Sequence, residues 1–372
     1  MKILFLTDYY PPHIGGQELL FEKIVKGLSL KNIQCTVITS RTEKDSPKYE
    51  KKDNVIIYRL FVPNLFFRFF FAIQSVAKSL RLKNNFDLIH GSTYGGALPS
   101  FVLSKLCRKP AILTVHEFMC KKWFEYERNF FTASFYYLSE LLIAKIPFKK
   151  FIAVSNYTKT KLIEAGVNKN KIEVIYNGDN VELLENNFKA DELRIKYGYQ
   201  KDDFIYLAYG RAGITKGFEY LVEAIPKIYE KIESAKFILI LNKAENKIWK
   251  NIKSSIKKIK SNKLLYSEKA ERQQLAEFLS IADCVVVPSL SEGFGFTTRE
   301  ASIFGKKIVA TNVGSIPEVI SGDYSLIEPK SVDSIVNGCV DIFNNNFNNT
   351  PQKIFSWNDT IENYKVIYNE LI

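Results

Sequence analysis

Glu292 and Glu300 bracket the stretch SEGFGFTTRE, where a glycine-broken turn runs into the first turns of an expected helix. The free amides at a helix start attract an anion. Carboxylates beside such a site can accept hydrogen bonds from hydroxyl groups. A phosphate carrying polyhydroxylated groups suits that pairing, and a nucleotide sugar is an obvious molecule of this kind. The residues also admit a plainer role. Thr297 and Glu300 have capping-box spacing, so the Glu300 carboxylate could simply reach back to a free amide.

Two cations could serve the same chemistry. Arg211 and Lys216 lie in GRAGITKG, directly after the apolar run FIYLAYG and before an expected helix. A guanidinium fork and an ammonium on a glycine-containing loop make a cradle for a diphosphate; solvated loop cations are the simpler alternative. The spacing does not match GxxxxGK[ST], so ATP hydrolysis is not implied. Gly15 and Gly16, in PPHIGGQE, let the backbone approach a ligand just before another helix, or form an ordinary turn. His116 ends the run AILTVHE and is one of only three histidines, so its place at a strand end points to a site, against the commoner fate of a structural histidine. His90, in DLIHGS, is the weaker candidate, and His13 lies in the first loop. No Asp-x-Asp pair and no His/Cys/carboxylate cluster at metal-ligand spacing occurs, so no metal is expected, and fixed cations and helix dipoles would have to stabilise a leaving diphosphate.

The elements that must position these residues alternate. MKILFLT, CTVITS, DLIHGS, AILTVHE and FIAVSN are strand-sized apolar runs separated by amphipathic helices such as QELLFEKIVKGLSLK. After KIEVIYNGDN the rhythm restarts with FIYLAYG, KFILILN, DCVVVPS and KKIVATN. Such alternation signals βαβ units and parallel sheets. The expected fold is α/β, with two doubly wound Rossmann-like domains joined near Asn177 to Gln200. Residues 1–177, completed by a terminal amphipathic helix over 356–372, form the first, and 178–355 the second. Ligands of open parallel sheets bind beyond the carboxyl ends of strands, which puts the expected site in a cleft between the two sheets. In the basic segment ENKIWKNIKSSIKKIK, residues Ile248, Ile252, Ile256 and Ile259 are expected to face the core, and the Asn-rich piece at 344–349 reads as a polar loop.

Composition narrows the partners. At 372 residues and 46% hydrophobic content the chain can build two cored domains. Five scattered cysteines without CxxC spacing argue for a reducing compartment. The first residues read as a buried strand, without the features of a signal peptide, and no run has the length of a membrane span. The formal charge of +12 suits nucleic acid, an anionic membrane face or a phosphorylated substrate. No nucleic-acid-binding signature accompanies it, so no nucleic-acid partner is expected. LFFRFFFAIQSVAKSLRLK, residues 65–83, and KKWFEYERNFFTASFYYLSELLIAKIPFKK are aromatic and basic. They suit peripheral contact with an anionic membrane from the cytoplasmic side, or else form core helices and walls of an acceptor site.

The order of these motifs carries a resemblance. PPHIGGQE, FDLIHGS, TVHE and VSNYTKTKL precede VIYNGDN, GRAGITKG, PSLSEGFGFTTREA and TNVGSIPEVI, and FSWNDTIENYKVIY closes the chain. Over nearly its whole length the sequence resembles the GT-B-fold, family-4-like glycosyltransferases, retaining enzymes that use nucleotide-activated sugars. The resemblance implies that Glu300 binds the ribose hydroxyls. It implies that Glu292, with backbone amides over Gly293, Phe294, Gly295 and Phe296, holds the donor sugar. Arg211 and Lys216 would grip the diphosphate, His116 would sit beside the donor sugar, and Gly16 would let the N-terminal loop close on the donor phosphate or acceptor. The implied reaction is metal-independent transfer of a hexose-type sugar from a UDP- or GDP-sugar to a hydroxyl of a glycan or lipid-linked saccharide. Thr297, Thr298 and Arg299 depart from the apolar run the family often carries, Lys307 replaces a common proline, and Asp179 and Asn180 replace the more usual pair after NG. A nucleotide-sugar epimerase of the same fold and a non-catalytic nucleotide-sugar-binding protein are the alternatives.

Overall fold

The computed structural model describes residues 1–13, 15–43, 45–63, 65–127, 129–184, 188–242, 247–259 and 261–372. The chain divides into two compact units, Met1–Gly178 with Phe355–Ile372, and Asp179–Ile354.

In the first unit the strands are β1 (Lys2–Leu6), β2 (Gln34–Ser40), β3 (Tyr49–Lys52), β4 (Val55–Leu60), β5 (Leu88–Ser92), β6 (Ala111–Val115), β7 (Lys150–Ala153) and β8 (Ile172–Val174). Six helices connect them: α1 (Gly16–Leu30), α2 (Phe67–Leu80), α3 (Ala97–Cys107), α4 (Trp123–Tyr126), α5 (Phe130–Lys145) and α6 (Asn156–Glu164). The sheet order is β3-β4-β2-β1-β5-β6-β7-β8, parallel except for the β3–β4 pair. Strands β1, β5 and β6 are covered on both faces, which is why they read as continuous apolar runs without alternation.

The second unit repeats the plan with β9 (Phe204–Arg211), β10 (Ala235–Asn242), β11 (Leu264–Ser267), β12 (Cys284–Val287), β13 (Lys307–Thr311), β14 (Gly322–Ile327) and β15 (Asn348–Thr350). Its helices are α7 (Ala190–Lys196), α8 (Phe218–Lys231), α9 (Lys247–Lys258), α10 (Arg272–Ile281), α11 (Phe296–Ile303), α12 (Ile316–Val319) and α13 (Val332–Phe343). The order is β11-β10-β9-β12-β13-β14-β15, with only β15 antiparallel. Alternate residues of β9 serve two cores. Tyr206 and Ala208 pack with Leu221 of α8 and Val336 of α13, while Ile205 and Leu207 pack with Leu279 of α10 and Ala301 of α11. Each Leu, Ile or Val side chain among them contributes about 1.5–3 kcal/mol on leaving water, the alanines less. The chain then returns to the first unit as α14 (Trp357–Leu371), whose Tyr364 and Tyr368 are fully buried there.

One local expectation changes and another holds. Residues 348–350, from a segment read as a loop, form the edge strand β15, where Asn349 pairs with Asp323 and donates to its carboxylate at 2.6 Å. An edge ladder uses main-chain groups and so gives no apolar signature. In and just after α9 the four isoleucines face the core as expected, Ile252 and Ile256 buried and Ile248 and Ile259 partly buried against it, with Trp249 buried beside them. Glu245, Asn246 and Lys260 of that basic segment lie outside the described residues.

Candidate active site

In the second sheet the strand order reverses between β9 and β12, and the two loops leaving those strands carry the charged motifs. Such switch points are where doubly wound sheets leave a crevice for ligands. Arg211 is the last residue of β9 and is exposed. Lys216 lies in the loop before α8, and the carbonyl of Thr215 accepts from the amides of Leu290 and Ser291 at 2.7 and 3.3 Å. Gly217 has a φ of 63°, and a Cβ there would collide with the carbonyl oxygen of Pro288. The loop after β9 is therefore stitched to the loop after β12. This brings the Lys216 Nζ to 2.5 Å from the Glu292 Oε1, which also accepts from the Ser289 hydroxyl at 2.8 Å.

Glu292 is held from its other side by the turn after β13. The amide of Ser315 donates to its carbonyl at 3.0 Å, and Gly314, with a φ of 58°, packs directly against its backbone. Gly293, Phe294 and Gly295 are buried, and the rings of Phe294 and Phe296 meet edge to face, 5.1 Å apart.

Helix α11 begins after Gly295, whose φ of 85° makes it the N-cap, with no side-chain cap. Thr297 therefore lies inside the helix, and the capping-box role for Glu300 is corrected. The Glu300 carboxylate turns sideways instead, accepting from Tyr209 Oη at 2.6 Å and Asn180 Nδ2 at 2.7 Å. Burial raises its pKa above the usual carboxylate range, opposed by those two hydrogen bonds. Tyr209 and Asn180 were not signalled as partners, because they lie 91 and 120 residues away in the chain.

In the first unit, His116 follows β6. Its Nε2 lies 2.9 Å from the Ser92 hydroxyl, and its backbone amide donates to the Thr93 hydroxyl at 3.2 Å. Burial lowers its pKa to about 4, so the imidazole is neutral at pH 7. His90 is a core residue and no site candidate. Its ring is fully buried, with Nδ1 2.7 Å from Tyr368 Oη and Nε2 2.7 Å from Thr114 Oγ1, and burial lowers its pKa to about 3. His13 pairs with Glu18 at 2.6 Å. Gly16 is the exposed first residue of α1, whose first turn also carries Gln17 and Glu18. Sequence reasoning missed Asp8, a buried carboxylate after β1 that accepts from Gln17 at 3.0 Å and faces Arg68 at 3.7 Å. Its only signal was its place at a strand's carboxyl end.

Two Rossmann-like units, each with polar residues on loops after parallel strands, define the GT-B class of glycosyltransferase fold. Consistent with that class, sucrose-phosphate synthase from Thermosynechococcus elongatus superposes with a TM-score of 0.84 at 19% identity, covering 100% of this chain and 98% of that one. Residues 14–183 match the family model Glycosyltransferase Family 4, and residues 189–355 match Glycosyl transferases group 1. The chain belongs to this glycosyltransferase family. An uncharacterized glycosyltransferase of Methanocaldococcus jannaschii is 30% identical over 394 residues, covering 100% of this chain and 99% of the relative. A UDP-Gal:alpha-D-GlcNAc-diphosphoundecaprenol alpha-1,3-galactosyltransferase of Escherichia coli is 24% identical over 276 residues, covering 72% and 69%.

Proposed function

We propose that this glycosyltransferase moves a hexose-type sugar from a UDP- or GDP-sugar, with retention and without a metal, to a hydroxyl of a glycan or lipid-linked saccharide. The observation that carries the reading is the gathering of Arg211, Lys216, Glu292 and the start of α11 on the two loops at the β9/β12 switch. Phosphate oxygens would take hydrogen bonds from Arg211, from Lys216 and from amides at the start of α11. Glu292, with the backbone from Gly293 to Phe296, would hold the sugar hydroxyls, and Glu300 the ribose hydroxyls. His116, neutral at pH 7, would offer one hydrogen bond beside the sugar, and Gly16 would leave room for the donor phosphate or the acceptor.

In the reaction the acceptor oxygen forms a bond to the anomeric carbon on the face from which the diphosphate departs. The bond from that carbon to the phosphate oxygen breaks, and the diphosphate keeps the electron pair. The acceptor's proton passes to a leaving-phosphate oxygen. Fixed cations and helix amides, already oriented, stabilise the charge that develops there. The test is a product assay with UDP- and GDP-sugars. Release of nucleoside diphosphate with acceptor glycosylation is expected, whereas conversion of the donor without any acceptor would mark an epimerase and overturn the reading. Binding without turnover across acceptors would indicate a binding protein.

The acceptor side of the proposal rests on the first unit, read as the acceptor domain, with the second as the donor domain. No helix among the described residues is long and apolar enough to cross a membrane. Yet α2 turns large apolar groups to solvent, with Phe66, Phe69, Phe70 and Ile73 exposed, while its buried face holds Phe71, Ala72, Ser75 and Ser79. From Asn54 to Phe86 the sequence has Arg59, Arg68, Lys78, Arg81 and Lys83 and no carboxylate. On α5, Phe131, Phe135, Leu138 and Leu142 form a second exposed row. Basic residues beside exposed aromatics suit the headgroup region of an anionic bilayer on its cytoplasmic face. Flotation with phosphatidylglycerol vesicles at low salt is the test; a protein that stays in the bottom fraction refutes peripheral docking. The lipid-diphosphate acceptor named for the Escherichia coli relative supports an acceptor of this class.

A further inference from the structure

Arg299 stands one residue before Glu300 in α11, and it is 1% exposed. A buried guanidinium is costly to desolvate unless every N–H finds an acceptor. Here all do. Nε and Nη2 form a fork onto the two carboxylate oxygens of Asp179, at 2.8 and 2.9 Å. Nη1 donates to the Val319 carbonyl at 2.7 Å and the Ser321 hydroxyl at 3.0 Å, and Nη2 also reaches the Lys353 carbonyl at 2.6 Å. Asp179 is 3% exposed. The next residue, Asn180, is the one whose amide donates to Glu300 Oε1. Two adjacent residues of α11 are thus tied to two adjacent residues at the entry to the second unit: Arg299 to Asp179, and Glu300 to Asn180.

We propose that the Asp179–Arg299 pair is a positioning device for donor recognition: it fixes Asn180, and through it the orientation of the Glu300 carboxylate toward a ribose diol. The inference rests on the reading of Glu300 as the ribose-binding carboxylate. Its physical basis is directional. A planar fork sets both position and angle of its partner, which a lysine or an apolar contact cannot do. With Asn180 held and Tyr209 on the other oxygen, the carboxylate keeps one orientation before ligand arrives, so less ordering remains to be done on binding. The two residues depend on each other: a buried Arg without Asp179, or the reverse, would leave an unpaired charge in the unit.

The test is a cycle between residue and ligand, read by calorimetry with UDP and GDP and their 2′,3′-dideoxy counterparts. For the unaltered protein, removing the ribose hydroxyls should weaken binding about tenfold or more, as expected for hydrogen bonds to a charged group. Asp179→Asn should weaken binding of the parent nucleotide and lose little further when the hydroxyls are removed. Arg299→Lys should behave in the same way, and both should raise the donor KM with little change in kcat. If single changes fail to fold, the paired Asp179→Leu/Arg299→Met variant removes both charges together and should show the same loss of coupling. A purely structural pair would give additive losses, with the dideoxy penalty intact in folded variants, and that result overturns the proposal. Glu300→Ala separates the two readings. If it abolishes the dideoxy penalty while Asp179→Asn does not, the positioning role fails and the ribose role stands. If neither does, or if neither diphosphate binds, the ribose role itself fails.

Discussion

The Lys216 ammonium and the Glu292 carboxylate form an ion pair of 2.5 Å, with Lys216 about a third exposed and Glu292 nearly buried. They sit on different loops, 76 residues apart, held together by main-chain bonds from Leu290 and Ser291 to Thr215. On the proposed reading an arriving diphosphate would compete with Glu292 for Lys216, and until then the pair would hold the cation in place. Lys216→Ala should therefore lower kcat by about 10²-fold or more, the scale of losing one pre-set charge stabiliser. Glu292→Ala should be nearly inactive for sugar transfer while keeping nucleoside diphosphate affinity within a few-fold. Steady-state kinetics beside calorimetry checks both, and full activity in either variant would sink the site assignment.

Glu300 gives a prediction with opposite signs for stability and binding. Its carboxyl pKa is raised by burial. A carboxyl raised in the fold contributes stability fully present below its ordinary pKa and lost as pH rises through the folded value. At neutral pH, above its ordinary pKa, the carboxyl is then a standing cost. Glu300→Gln removes that charge, and a turned Asn180 amide can still meet the new side chain. Urea unfolding at pH 7.5 should show the variant more stable than the parent, with the gap closing near pH 4. Donor affinity should move the other way, falling about tenfold, because hydroxyls no longer bond to a charged acceptor.

The residues that announced the site in the sequence are those whose chemistry is local: glycines and cations in loops after strands. Arg211, Lys216 and Glu292 could be singled out because the strand before each was plain from its apolar run. What stayed hidden was the pairing. Nothing local in TTRE says that Arg299 is buried on Asp179, or that Glu300 faces Tyr209 and Asn180, since each partner comes from a distant segment brought in by the sheet. The capping-box spacing of Thr297 and Glu300 misled for the opposite reason: it is a local rule, and the positive φ of Gly295 had already started the helix two residues earlier. The short strands β3, β11 and β15 were hidden because four or fewer residues at a sheet's margin carry little periodicity.

The histidines set the acid limit of the first unit. His116 and His90 have pKa values lowered to about 4 and about 3, each by burial. Unfolded, both would take a proton near pH 6.5. Between that value and about 4 the unfolded chain binds more protons, so stability must fall as pH is lowered through this window. Thermal unfolding should show the midpoint dropping from pH 6.5 toward 4, less steeply for the opposite contribution of Glu300. His116→Gln should flatten the slope by about one proton. Activity should show no histidine-linked loss between pH 8 and 6, since His116 is neutral throughout; a kcat/KM profile falling with a midpoint near 6.5 would contradict the buried, neutral assignment.

Gly314 offers the sharpest separation of site geometry from stability. Its φ is 58°, and an added Cβ would meet the carbonyl oxygen and amide of Glu292. Gly305, at the end of α11, has nearly the same backbone, with a φ of 62°, yet nothing lies within 4 Å of its Cβ position. Alanine at either position incurs the left-handed backbone penalty of about 1–2 kcal/mol. Only at Gly314 must the backbone of Glu292 also shift, carrying the carboxylate away from Lys216 and Ser289. Gly305→Ala should therefore lose stability and keep kcat, while Gly314→Ala should lose more stability and at least about tenfold in kcat, since small misplacements of reacting groups are severe. Unfolding midpoints and turnover measured on the same two preparations decide it. Equal turnover in both would mean that the position of Glu292 does not govern the reaction.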